Sequence, residues 1–161
     1  VQEAEDIIIR SMYDSIKRVR SSAIVSAGEL KSFRAGDSLR AMLIHPVQEN
    51  HLFHIYGSLG AIGDQDAIPV LAEQLKGGER YNQIAALSAI LQIDPDIGLN
   101  HAINELQDEN VDVRRNAVII CILSGDPRVI EALRSVMDDE DFEVRFYARQ
   151  GLKRLKDHTA D

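Results

Sequence analysis

Three histidines carry the most chemical potential in this chain. His45, His51 and His54 lie close together in sequence, with Glu49 among them. If this stretch is helical, His51 and His54 stand at i and i+3 on one face, which is a spacing that can present two imidazoles to a metal ion. A zinc site needs at least one more protein ligand, and no other residue is singled out by its spacing. His51 and His54 are therefore weak metal candidates, and the expectation is ordinary surface or half-buried histidines. The single thiol, Cys121, sits among Ile120, Ile122 and Leu123. A reactive cysteine needs an exposed, electropositive setting, so Cys121 reads as a core residue. It also has no partner in the chain for a disulfide.

The run Asp138–Asp141 has the composition of a calcium loop but lacks the glycine that the sharp turn of such a loop requires. It reads instead as the acidic start of a helix, with Asp141 four residues before Arg145 and able to pair with it. Serine, histidine and aspartate are all present, but no spacing brings them together, and no glycine-rich phosphate loop occurs. The basic clusters Lys17, Arg18, Arg20 and Lys153, Arg154, Lys156 have no aromatic residues spaced for base stacking. With 18 Lys and Arg against 26 Asp and Glu, the formal net charge is -8. That balance disfavours a phosphate-neutralising surface, so no nucleic-acid partner is expected. The expectation is a chain with no catalytic set and no cofactor.

The elements that must position these side chains recur in tandem. Asp139 to Ala148 holds an Asp-x5-Arg frame with Val144 before Arg145 and Ala148 three residues after it. Asp108 to Ala117 repeats it around Arg114, and Asp14 to Ala23 repeats it around Arg20. Arg114 and Arg145 are 31 residues apart, and Ala86, Ala117 and Ala148 recur at the same step. A fixed period of this size marks an array of two-helix units.

Taken in order, helical patterns cover residues 2–13, with Ile8, Met12 and Ile16 on one stripe, and 17–34, where Gly28 could introduce a kink. Gly36-Asp37 is expected to stop that helix and cap a short one ending at His45-Pro46. Further helices are expected over 48–61, 65–76, 79–92, 96–107, 110–123, 127–137 and 141–155. Gly63-Asp64, Gly77-Gly78, Asp94-Pro95-Asp96 and Gly125-Asp126-Pro127 separate them. The tail from Lys156 to Asp161 is polar and expected to fray. First-type helices such as 117–123 are apolar nearly all round and should be sandwiched. Second-type helices are amphipathic, with Val129, Ile130, Leu133, Val136 and Met137 inward and Arg128, Glu131 and Arg134 outward. The reading is an all-α, right-handed solenoid of about ten helices in one domain. It has a half repeat at 1–16, repeats near 17–47, 48–78, 79–109 and 110–140, and a half repeat at 141–157.

These units resemble HEAT repeats, most closely the short HEAT-like repeats of phycobilin lyases (PBS lyase type). The resemblance rests on Asp108 with Arg114, Asp139 with Arg145, less completely Asp14 with Arg20, and on the Gly63-Asp64 and Gly125-Asp126 turns. It implies a polar ladder of those Asp and Arg residues between successive repeats. Two repeats depart from the frame, with His45 and His51 in place of Asp and Arg in one, and Gly77 and Gln83 in the next. HEAT-like di-iron hydroxylases carry His-Glu dipeptides, and this chain has none.

Fold does not dictate function. The expectation is a non-catalytic scaffold or adaptor that binds another protein of basic or mixed charge, with Gln74, Asn104, Arg128, Glu131 and Arg134 as outward contact candidates. The first alternative is a lyase-type or chaperone-like subunit handling a bilin chromophore, which the resemblance alone suggests. The second is a metal-dependent activity at His45, His51 and His54. The consecutive Ile7, Ile8 and Ile9 put apolar side chains on more than one face, so this edge is expected to pack against an upstream segment or a second molecule. No apolar run reaches the ~20 residues of a membrane span, and the cytoplasm is the expected compartment. The Val1 start suggests a processed or excised chain, so a removed signal would leave that open.

Overall fold

A computed structural model of the chain describes residues 2–45, 51–76 and 79–158. All regular structure among them is helical: ten α-helices and two short 3-10 turns. The class is all-α, with the stacked antiparallel helices of a HEAT-like solenoid. The chain divides into two compact units, Val1–Pro95 and Asp96–Asp161. The expected boundaries at Pro46 and Gly77-Gly78, the Glu49 side chain and the last three residues of the tail lie outside the described residues.

In the first unit, α1 (Gln2–Ser11), α2 (Lys17–Glu29), α3 (Phe33–Ile44), α4 (Leu52–Ile62), α5 (Ile68–Glu73, flanked by the 3-10 turns) and α6 (Arg80–Ile93) follow in order. The first-type helices α2, α4 and α6 stack side by side. Met12, Ile24, Leu39, Tyr56, Leu59, Leu71, Leu87 and Ile90 are fully buried among them. Burying aliphatic and aromatic side chains of this size contributes about 1.5–3 kcal/mol each, which is how a helix with little solvent-facing polarity becomes stable. Gly28 permits the α2–α4 contact. A Cβ there would lie 2.8 Å from the Ser58 Cα, and the Ser58 hydroxyl donates to the Ile24 carbonyl at 2.7 Å. The glycine serves close approach of two helices, not a kink.

The boundary expected at Gly36-Asp37 is wrong. The α2 helix ends at Glu29 and is capped by Leu30, with Lys31 at φ 49°, and Gly36 and Asp37 lie inside α3. A left-handed residue ends a helix by turning the chain sharply, and here a lysine adopts it without the glycine that would have flagged the stop. The two Gly-Asp turns do stop their helices. Gly63 closes α4 at φ 75° and Gly125 closes the later helix at φ 65°. In each turn the following aspartate accepts a backbone N–H two residues on, from Asp66 and from Arg128.

The second unit contains α7 (Pro95–Glu105), α8 (Val111–Ser124), α9 (Val129–Ser135) and α10 (Phe142–His158). Helix α10 packs on both α8 and α9. Its core is Leu99, Leu106, Val118, Ile120, Cys121, Leu133, Val144 and Ala148. Among the described residues no helix is long and apolar enough to cross a membrane.

Candidate functional site

The repeated Asp-x5-Arg frame folds into the same small device each time. The aspartate precedes its helix and accepts a backbone N–H two residues on: Ile16 to Asp14, Asn110 to Asp108, and Asp141 to Asp139, each at 2.8 Å. The arginine, one turn into the helix, reaches back to the carbonyls of that same turn. Arg20 donates to the Asp14 and Ser15 carbonyls at 2.8 and 3.0 Å. Arg114 donates to those of Asp108 and Glu109 at 2.9 and 3.1 Å, and Arg145 to that of Asp139 at 2.6 Å. Carbonyls that precede a helix have no partner within it, so the guanidinium fork satisfies them.

The fork also faces the next repeat. Arg114 donates to both oxygens of Asp139, through Nε at 2.9 Å and Nη2 at 3.2 Å, and both side chains are over nine-tenths buried. Arg115 makes a second bidentate pair with Asp141, which also accepts the Glu143 and Val144 amides at the start of α10. The Arg115 guanidinium, with the amide donors, holds the Asp141 carboxyl well below the usual carboxylate range. Asp141 was expected to pair with Arg145. It binds Arg115 instead, because the Arg145 guanidinium is directed back to the Asp139 carbonyl. Arg115 itself gave no repeat signal, since Phe146 stands one step later.

In the first unit the frame changes chemistry. One step beyond Arg20 stands His51, which is buried and sits just before α4 in a non-helical conformation. Arg20 Nε lies 3.4 Å from His51 Nε2, and the Ser21 hydroxyl lies 3.1 Å from His51 Nδ1. A guanidinium can only donate, so Nε2 must accept and Nδ1 must carry the proton it gives to Ser21. Gln83 occupies the corresponding place in α6 and donates to the Leu75 carbonyl at 3.1 Å.

The expected common face of His51 and His54 does not form. His51 precedes α4 and points inward, whereas His54 is exposed with its ring edge on Phe53. His45 is exposed at the end of α3. Among the described residues no group of three or more His, Cys, Asp or Glu is placed to hold a metal ion. Cys121 is fully buried in α8, and burial, aided by the nearby Glu105 charge, pushes its thiol up to about 12. Glu105, half-buried at the end of α7, is pushed up to about 7 by burial and then by Asp108.

Of the contact candidates, Asn104, Arg128, Glu131 and Arg134 are exposed in the second unit. Arg128 bonds Asp96 and Asp126, and Arg134 pairs with Glu131. Gln74 is half-buried, not outward, and accepts from the Tyr56 hydroxyl at 3.4 Å. Sequence reasoning missed the exposed aromatic side chains. Phe53 and Tyr81 stack at 5.3 Å between ring centroids while 52% and 61% exposed. Phe142 and Phe146 stack at 5.9 Å on α10, with Tyr147 edge-on to Phe146. Apolar side chains on nearly apolar helices read as core, and only the helix neighbours decide which are left outside.

Repeated helix pairs, three of them opened by an Asp-capped turn and a reaching Arg, define the class, and the family comparisons agree. Residues 99–161 match the model of HEAT repeats, and residues 57–77 match that of the PBS lyase HEAT-like repeat. Those two segments thus carry HEAT-type repeats, the one at 57–77 of the PBS lyase-like kind. Among solved structures it is similar to the complex of CpcE and CpcF of phycocyanin lyase from Nostoc sp. PCC7120. The TM-score is 0.54 and the identity 19%, over 96% of this chain and 69% of the other. At that identity the likeness shows the fold. No curated protein sequence matches the chain.

Proposed function

We propose that this chain is a non-catalytic scaffold that binds another protein through its helical surface. The observation that carries the reading is the stacked, exposed Phe53–Tyr81 pair on α4 and α6. The helices that present it are anchored by a fully buried core, so the rings are held ready for a partner with little ordering cost. Aromatic side chains in such positions are the usual anchors of protein interfaces. Asn104, Arg128, Glu131 and Arg134 offer polar contacts in the second unit. Their exposed ion pairs are each worth only about 0–1 kcal/mol, so a partner can exchange them. The exposed Ile7 and the half-buried Ile8, beside Ile16 and Val19, form a further apolar groove between α1 and α2. The net charge of -8 suits a partner of basic or mixed charge. The solved complex it resembles is itself an assembly of two proteins, which supports a protein partner.

That same likeness, with the lyase-type repeat at 57–77, supports a second reading, a lyase-type or chaperone-like subunit that handles a bilin. Native mass spectrometry of the chain recovered from its source cells, with a visible spectrum of the same sample, separates the two. A stoichiometric protein partner without colour supports the scaffold. Absorbance of a bound tetrapyrrole overturns it in favour of the second reading.

A further inference from the structure

Repeat register reveals what the surface between α9 and α10 is shaped to receive. Arg134, Met137, Arg149, Leu152 and Lys153 line a groove there. One 31-residue step earlier, the same five positions are Ile103, Leu106, Val118, Cys121 and Ile122, all apolar. Leu106, Val118 and Cys121 are buried to 1% exposure or less, in the repeat where the second-type helix α9 packs on the first-type helix α8. Helix α10 is a first-type helix, and among the described residues no second-type helix follows it. The groove is thus the seat of a second-type helix, kept in shape but changed in chemistry. Met137 and Leu152 remain as an apolar floor, while three aliphatic positions have become cations.

Those cations are not internally neutralised by buried carboxylates. Among the described residues Arg134 meets the exposed Glu131, and Arg149 makes a long 3.4 Å bond to the Met137 carbonyl. Lys153 is exposed and has no carboxylate partner among the described residues. Among the described residues no carboxylate lines the groove, although the chain as a whole carries a charge of -8. Three like charges around an apolar floor complement one ligand chemistry.

We propose that the α9/α10 groove receives an acidic amphipathic helix of a partner protein. Its apolar stripe lies on Met137 and Leu152, and its Glu or Asp side chains meet Arg134, Arg149 and Lys153. This rests on the scaffold reading and names a surface and a partner chemistry for it. A helix laid in a groove is read through anchors at i and i+3 or i+4, and flanking carboxylates add the register.

The test is fluorescence polarisation of the full chain with a labelled helical peptide that carries leucines at i and i+4 flanked by glutamates. Saturable binding is expected. It should weaken about tenfold or more in the Arg149→Glu/Lys153→Glu chain, and in the milder Lys153→Glu chain should the double variant lose its fold by circular dichroism. The same peptide with lysine for glutamate should not bind, and Arg18→Glu should leave binding unchanged. Equal binding of the glutamate and lysine peptides, or no loss in Lys153→Glu, would make the cations a solubility cap and overturn the proposal. The scaffold reading is tested separately by recovering complexes with wild-type and Lys153→Glu chains. A protein partner retained by both leaves the scaffold standing and sinks the groove, whereas no partner with either chain counts against both.

Discussion

Replacing Arg114 with alanine is the sharpest test of what holds the repeats together. Arg114 spans two turns: it donates to the Asp108 and Glu109 carbonyls behind it and to both Asp139 oxygens ahead of it. Its side chain is 8% exposed and that of Asp139 is 9%, so the pair is buried. Removing one member of a buried pair costs about 3–5 kcal/mol, because a charge is left without compensation. Asp139 keeps its bond from the Asp141 amide, which places the expected loss near the lower end, about 3 kcal/mol. The contact to Glu140, whose side chain is 84% exposed, adds little. Arg145 occupies the same frame position but makes one bond, to the Asp139 carbonyl, from a half-buried site; its alanine variant should cost about 1–2 kcal/mol. Arg114→Lys should fall between wild type and alanine, since one ammonium cannot satisfy both carbonyls and both carboxylate oxygens. Equilibrium unfolding in urea, followed by helical circular dichroism, measures these differences as shifts of the midpoint. A loss below about 1 kcal/mol for Arg114→Ala, or additive losses for Arg114→Ala and Asp139→Ala in a double-mutant cycle, would refute the ladder as a source of stability.

Glu105 gives the stability a pH dependence of defined sign. Its folded value near 7 lies above its ordinary value of 4.5, so the unfolded chain releases this proton first, and stability falls as pH rises between those values. The drop should be about 2 kcal/mol after allowing for partial solvation, and Glu105→Gln should remove it in urea titrations run at pH 4 to 8. Cys121, buried and pushed up to about 12, should resist iodoacetamide at pH 8 in the native chain and react fully in denaturant; fast native labelling would contradict its burial. Gly28→Ala would gain about 1 kcal/mol of helix propensity but places a Cβ 2.8 Å from the Ser58 backbone. A net loss of about 1–2 kcal/mol is expected, read as a lower melting temperature.

Much of the architecture is legible in the sequence because its signals repeat. A helix pair that must stack on its neighbour needs the same apolar, turn and polar residues at each step, so Asp108, Arg114, Asp139 and Arg145 appear as one frame. The 25-residue separation of Arg114 and Asp139 is the 31-residue step less the six residues within the frame, and the structure brings those two side chains together. What occurs once was not legible. Lys31 ends α2 in a left-handed conformation that no glycine announces. Arg115 reaches Asp141 outside the frame, and the stacked Phe53 and Tyr81 look like core residues until their helices are placed. The two histidines expected on one face were separated by a boundary effect: α4 begins at Leu52, after His51 and not before it.

The departures from the frame keep a common physical task. Arg20, Gln83 and Arg114 all donate to carbonyls of the segment that precedes their own helix, although only the arginines carry charge. At the position between Arg20 and Gln83, His51 bonds Arg20 and Ser21. The requirement shared by Arg20, Gln83 and Arg114 is a buried donor that satisfies the segment before the helix that carries it. An ion pair across repeats is an addition where the next repeat supplies an aspartate, as Asp139 does for Arg114. The frame therefore tolerates loss of its charges more readily than loss of its donors. Gln83→Leu, which removes the donor to the buried Leu75 carbonyl without adding charge, should cost more stability than Asp14→Asn, which keeps an acceptor for the Ile16 amide.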